Sequence, residues 1–208
     1  MNDEVARIAD QDTPTAAPVD ATSGGRPTSP DAALPWVVRF APLVPERGVV
    51  LDVAAGGGRH TRWLAAQGWR VVAVDRDTSA LLDLVDPPGV HDGRTTDAAA
   101  DVEVVEADLE EGPWPFPDRR FDGIMVTNYL HRPLLPTLVA SVAPGGVLIY
   151  QTYARGHERY GRPTNPDWLL RPGELLEAVR GRLRVVAYED LTTDQPARVQ
   201  RIAAVAEE

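Results

Sequence analysis

The 208-residue chain contains no cysteine and no lysine. Without cysteine it cannot form a disulfide, a thiolate metal site or a cysteine nucleophile. Its 21 basic residues are all arginine, against 31 acidic ones, and the formal net charge is -10. So acidic a chain lacks the basic face that neutralises phosphates, which argues against a general nucleic-acid binder. No apolar run approaches the roughly 18 residues of a membrane span. No apolar segment follows a basic start at the N-terminus, so no secretory signal is expected. These absences predict a soluble cytoplasmic protein with neither nucleic acid nor membrane as a partner. The four histidines show no metal-ligand spacing, and no metal is expected.

Residues 1–30 hold Pro14, Pro18, Pro27, Pro30 and the Gly24-Gly25 pair, but no aromatic residue. At about 1–2 kcal/mol per residue, ordering this backbone would cost on the order of 30–60 kcal/mol. A few Val, Ile and Ala side chains cannot offset that, since burying a large aliphatic one returns only about 1.5–3 kcal/mol. Residues 1–30 are therefore expected to be a disordered tail, and residues 31–208 one folded domain. "LPWVVRFAPLVP" (34–45) predicts a short helix covering either the sheet or a ligand cleft.

From Gly48 onward, strand and helix signals alternate. "VVLDVA", "RVVAVD", "VEVVEAD", "FDGIMVTN" and "GVLIYQTY" are short aliphatic runs suited to strands buried on both faces. Between them lie helical stretches: "RHTRWLAAQG" stopped by Gly68, "TSALLDLV", and "LLPTLVASVAPGG" closed by a Pro-Gly-Gly turn. The polar stretch running to Asp101 predicts a flexible loop. This alternation implies right-handed crossovers and a doubly wound parallel α/β sheet. The C-terminus departs from the rhythm. After the helix "ELLEAVRG", the runs "LRVVAYEDL" and "VQRIAAVAE" are separated only by "TTDQPAR". Seven residues are too few for a parallel crossover, so these strands are expected to pair as an antiparallel hairpin.

Ligands of open α/β sheets bind at the C-terminal ends of the strands, where the strand order reverses. That rule gathers the segment from Asp52 to Gly58 with Asp75, Asp108 and Asn128. "VVLDVAAGGGRHTRWLAAQGWRVVAVDRD" (49–77) places one acid before a glycine turn and a second at the end of the next strand. Glycines lack Cβ, so the turn at 54–58 lets a ligand approach the backbone closely. The helix beginning near Arg59 aims free N–H groups and its positive end at anionic atoms. Asp75 can accept both hydroxyls of a ribose, a feature that nucleotide cofactors share. Two details separate them. Thr61 stands where a dinucleotide fingerprint starting at Gly56 requires Gly or Ala, and Asp52 would attract an ammonium but offers nothing to a pyrophosphate. S-adenosylmethionine (SAM) satisfies both; an NAD(P)-dependent oxidoreductase is the disfavoured alternative.

Residues 34–208 resemble the class I SAM-dependent methyltransferases. "LDVAAGGGRHT" is similar to the family's first motif, with Ala54 in place of its commonest first glycine. "VEADL" resembles its adenine site, which implies the Asp108 carboxylate on the adenine amino group and the Leu109 N–H on a ring nitrogen. "VAPGGVLIY" resembles the turn before its fifth strand. The resemblance implies a Rossmann-like seven-stranded sheet of order 3-2-1-4-5-7-6 with the last strand antiparallel. It implies SAM as cofactor and methyl transfer as activity. The cofactor contacts implied are Asp52, Ala54, Gly56, Gly58, Asp75, Arg76, Asp108, Leu109 and Asn128. "GGGRHT" and the compact size look most like the tellurite-resistance type of small-molecule methyltransferase. A SAM-binding sensor or complex subunit without catalysis is the alternative left open.

Methyl transfer from a sulfonium is an in-line displacement in which positioning contributes about 7–11 kcal/mol. A base is needed only where the nucleophile must lose a proton; sulfur, selenium or tellurium anions need none. Candidates for acceptor contact are Asn128, Tyr129 and His131 after the fourth strand, and Tyr153, His157, Glu158 and Tyr160 after the fifth. His131 is the side-chain type suited to a general base near neutral pH. "TNYL" lacks the Asn-Pro-Pro-Tyr-like motif associated with methylating exocyclic amines of nucleic-acid bases. The lack of cysteine argues against thiol-dependent cytosine methylation and against arsenite methylation on a cysteine cluster. A small-molecule acceptor is the expected partner. Arg155, Arg159, Arg162 and Arg171 either gather round an acidic one or sit in a solvated loop. Residues 153–170, without a clear helix but carrying Tyr153, Tyr160 and Trp168, are expected to form a packed binding loop. His60 and His91 are expected at the surface.

Overall fold

The computed structural model describes residues 32–85 and 102–208. The expected tail at 1–30, the loop before Asp101 and His91 lie outside the described residues. A compact unit begins at Asp31 and runs to Glu208.

Helix α1 (Pro35–Phe40) starts on a proline, whose fixed φ suits the first helical position. It runs into a 3-10 turn at Ala41–Leu43. Strand β1 (Val49–Val53) leads through the glycine turn into α2 (Arg59–Ala66), followed by β2 (Arg70–Asp75). A 3-10 turn at Ser79–Leu81 precedes α3 (Leu82–Val85), and β3 spans Val102–Glu106. Strand β4 (Phe121–Thr127), a 3-10 turn at Arg132–Leu134, α4 (Leu135–Ala140) and β5 (Val142–Tyr153) come next. Helix α5 (Glu174–Val179), β6 (Arg184–Thr192) and β7 (Arg198–Val205) complete the chain.

The seven strands form one sheet of order β3-β2-β1-β4-β5-β7-β6. The pairs from β3 to β5 are parallel, and β7 runs antiparallel to both β5 and β6. The sheet order and the C-terminal hairpin are those expected from sequence.

Side chains alternate across a strand, so each central strand feeds two cores. Leu51, Ile124, Leu148 and Tyr150 face the core shared with Leu138 of α4 and Leu175 of α5. Val50, Met125, Val147 and Ile149 face the other, with Trp36 and Phe40 of α1 and Leu64 of α2. Helix α1 therefore covers the sheet: Trp36 is buried, and its Nε1–H donates to the Ile202 carbonyl of β7 at 3.2 Å.

One expected helix is shorter than the sequence suggested. Within 134–146 the helix ends at Ala140, with Ser141 as its cap; Val142 is already buried and paired with Phe121. Ala143 precedes Pro144 and is disfavoured from helical torsions, while Pro144 lacks the N–H a longer helix would need. The Pro-Gly-Gly segment lies inside β5, where the register with β4 shifts between Phe121 and Gly123.

Candidate functional site

Residues 54–58 form a tight turn from β1 into α2. Ala54 (φ 53), Gly56 (φ 53) and Gly58 (φ 75) all occupy the left-handed region. The two glycines are needed for different reasons. A Cβ on Gly58 would stand 2.4 Å from Leu81 Cδ2 and 2.5 Å from Arg62 Nη1, so the position is closed by its own neighbours. A Cβ on Gly56 would meet nothing within 4 Å. That face of the turn is open.

Asp75, at the end of β2, ties the turn in place. Its Oδ2 accepts the Gly56 N–H at 2.8 Å and its Oδ1 accepts the Asp77 N–H at 3.0 Å. Arg62 braces the same turn from behind, donating to the Gly57 carbonyl at 2.6 Å and to Asp83 at 2.6 Å. Asp108, after β3, accepts the N–H groups of Glu110 (2.8 Å) and Glu111 (3.1 Å) on Oδ1. Those backbone hydrogen bonds, Glu110 first, hold its carboxyl below the usual range.

A cavity of about 530 Å³ opens where these strand ends meet. Ala54, Asp75 and Arg76 line it from β1 and β2, and residues 107–111 from β3. Asn128, Tyr129 and Leu130 enter from the end of β4, and Thr152 and Tyr153 from the end of β5. Pro163 and Trp168 complete the wall from the segment after β5. The volume is ordinary for a small-molecule site. Asn128 holds φ 55, a conformation asparagine tolerates better than most residues, and its N–H donates to the Gln151 carbonyl at 2.9 Å.

Asp52, expected beside an ammonium, does not line this cavity. It is 1% exposed, and Thr61 Oγ1 donates to its Oδ2 at 2.6 Å. Burial pushes the Asp52 carboxyl up to about 6, against the pull of the Thr61 hydrogen bonds and of Arg59. Gly56 and Gly58 shape the turn, but neither is a lining residue. His131 sits at the start of the 3-10 turn and also lies outside the wall. Tyr160 points to solvent, with its ring 6.5 Å from His157. None of Arg155, Arg159, Arg162 or Arg171 lines the cavity, and Arg171 instead pairs with Glu174.

Two histidines that the sequence presented as surface or acceptor-side groups are structural. His60 is buried rather than superficial: Nε2 accepts the Leu34 N–H at 3.2 Å, so the Nδ1–H faces Thr127 Oγ1 at 3.2 Å. Burial holds its imidazole down at about 4, so it stays neutral. The reason it was missed is that α1 folds over it from 26 residues away. His157 is also buried. Its Nδ1 accepts the Arg198 N–H at 3.3 Å, its Nε2–H donates to the Arg162 carbonyl at 3.0 Å, and its ring stacks on Tyr153 at 4.0 Å.

The sequence also left unmarked the group that fastens the 153–170 segment. Arg132 grips Glu174 through Nε (2.6 Å) and Nη2 (3.0 Å), and donates to the carbonyls of Asp167 and Leu169. Burial would raise the Glu174 carboxyl, but hydrogen bonds from Arg132 and Arg171 outweigh it and leave it at about 2. A second cavity of about 520 Å³ lies at the opposite end of β4, between residues 117–120 and α4. It contains no part of the glycine turn or of the three acidic strand ends.

A family model described as a methyltransferase domain matches residues 50–146. The fold is similar to that of a Burkholderia thailandensis 1,6-didemethyltoxoflavin-N1-methyltransferase with bound 1,6-didemethyltoxoflavin and S-adenosylhomocysteine. The TM-score is 0.59 at 20% identity, over 84% of this chain and 77% of that one. It is similar to TehB from Haemophilus influenzae, with a TM-score of 0.61 at 16% identity, over 83% of this chain and 61% of that one. It is similar, too, to a SAM-dependent methyltransferase from Methanosarcina mazei, with a TM-score of 0.59 at 15% identity, over 85% and 99%. At these identities the structural likeness is one of fold. Comparison with the curated proteins finds no match.

Proposed function

We propose that this chain is a class I SAM-dependent methyltransferase, with SAM as its cofactor and a small molecule as its acceptor. In this reading residues 31–208 form the methyltransferase domain. The observation that carries it is the convergence of the open glycine turn, Asp75 and Asp108 on one cavity that continues to Asn128 and Tyr153.

The residues present fit the cofactor. Gly56 leaves open space where any side chain would stand, and Ala54 lines the cavity beside it. Asp75 spends one lone pair of each oxygen on the backbone and keeps the others for the two ribose hydroxyls. Asp108 is held rigid and ionised through Oδ1, which leaves Oδ2 to accept from the adenine amino group beside the Leu109 N–H. Arg76 lies on the same wall, where it would cover one face of the adenine. Asp52 acts from beneath, its charge biasing the turn towards the ammonium without contact. When bound, SAM supplies an electrophilic methyl group whose C–S bonding pair returns to sulfur, so that the sulfonium becomes a neutral thioether. The chain's own part is to hold the acceptor in line, with Asn128, Tyr129 and Tyr153 on the acceptor side, and to exclude water.

Isothermal calorimetry with SAM and S-adenosylhomocysteine tests the cofactor site, and release of S-adenosylhomocysteine over a metabolite panel tests the acceptor. Gly56→Val is expected to abolish binding in a folded protein. Wild-type affinity in that variant would place the cofactor elsewhere.

A further inference from the structure

We infer that the acceptor is an uncharged, flat aromatic or heteroaromatic molecule held between Tyr153 and Trp168, and that anionic acceptors are turned away. The inference rests on reading the β1–β3 half of the cavity as the cofactor side. The β4–β5 half, from Asn128 to Trp168, then carries no charged side chain. On the cofactor side, the charged lining among the described residues is Asp75, Asp108, Glu110 and Glu111 against Arg76. That is a formal excess of three negative charges, and two remain after the single net positive charge of SAM. An oxyanion or carboxylate entering beside them meets like charge. Arg155, Arg159 and Arg162, the nearby cations of the segment after β5, lie outside the wall.

The aromatic groups suit a flat ring instead. His157 is fixed at both ring nitrogens, and Tyr153 stacks on it at an interplanar angle of 28°. The plane of Tyr153 is thus set before any ligand arrives, which removes part of the ordering cost of binding. Trp168 is a cavity wall yet 58% exposed, so a large apolar face remains to be covered. The Tyr129 hydroxyl is buried behind the wall and has no partner among the described residues; burial, then Glu110 and Asp108, push its acidity far down. Tyr129 therefore stays neutral and adds no charge to the acceptor side.

The test uses the full chain saturated with S-adenosylhomocysteine, titrated by calorimetry with 2-naphthol, quinoline, 2-naphthoate, tellurite and the saturated analogue decalin-2-ol. At least one neutral aromatic probe is expected to bind ten times or more tighter than 2-naphthoate, tellurite and decalin-2-ol. Trp168→Ala and Tyr153→Ala are each expected to weaken that probe at least fivefold while leaving S-adenosylhomocysteine affinity within threefold. Equal or tighter binding of an anion, no neutral aromatic binding, or indifference to both substitutions would overturn the inference while the cofactor reading stands. Failure of S-adenosylhomocysteine itself to bind would instead overturn the cofactor reading and this inference with it.

Discussion

The Asp75 carboxylate accepts the Gly56 backbone N–H at 2.8 Å, joining the two halves of the cofactor motif across 19 residues of sequence. The bond makes Asp75 a support of the glycine turn as well as the proposed ribose acceptor. Asp75→Ala is therefore expected to weaken SAM binding by about 1.5–3 kcal/mol, the scale for hydrogen bonds to a charged group. It should also lower the melting temperature of the ligand-free protein, because the Gly56 and Asp77 N–H groups lose their acceptor. Calorimetry and thermal unfolding read the two effects separately; an unchanged dissociation constant would remove Asp75 from the site.

Asp52 gives the fold a pH dependence of definite sign. Its folded-state carboxyl lies at about 6 against 3.8 for the free group, so ionisation disfavours the folded state. The penalty is absent below about pH 4, grows between pH 4 and 6, and is constant above. At 1.36 kcal/mol per decade it amounts to about 3 kcal/mol. Asp52→Asn, which keeps an acceptor for Thr61, is expected to gain up to that amount at pH 7.5 and nearly nothing at pH 4. Urea unfolding of both proteins across this range measures the difference. A gain independent of pH would rule out the charge as its origin.

Gly58 and Gly56 separate the two uses of glycine. Alanine at either must adopt a left-handed conformation at a cost of about 1–2 kcal/mol. Gly58→Ala must also displace Leu81 and Arg62, and is expected to unfold at clearly lower denaturant than Gly56→Ala. Gly56→Ala is expected to lose more SAM affinity, because its methyl group enters the open side of the turn. The reverse ranking in either assay would contradict the geometry.

Arg132→Met leaves the buried Glu174 carboxylate without its bidentate partner and frees the carbonyls of Asp167 and Leu169. A loss of about 3 kcal/mol is expected at pH 7, the low end for a broken buried pair, because Arg132 is partly exposed. Glu174 titrates at about 2 when folded and 4.5 when free, so the wild-type contribution is complete above pH 4.5 and fades as pH falls towards 2. Denaturation at pH 7 and pH 3, together with protease cleavage within 153–170, checks both parts. Tyr160→Ala, outside the wall, is expected to leave methyl transfer intact.

Some of this molecule was decided by its sequence alone. Short aliphatic runs, the placement of Asp52, Gly56, Gly58 and Asp75, and a linker too short for a crossover before β7 are local features. Their consequences depend on chain geometry over a few residues, which is why the strands, the C-terminal hairpin and the glycine turn were legible, whereas the sheet order followed from the family resemblance. Tertiary structure decided the rest, because it depends on what is brought over a residue from far along the chain. Thr61 signalled only what the ligand is not, until folding set its hydroxyl on Asp52. His60 reads as a surface residue of α2 until Leu34 is laid upon it. Arg132 reads as one arginine among 21 until the segment after β5 and α5 close round its guanidinium. Whether a polar side chain faces the ligand or the interior depends on burial and on a partner's position. Neither is written in the spacing of residues along one strand.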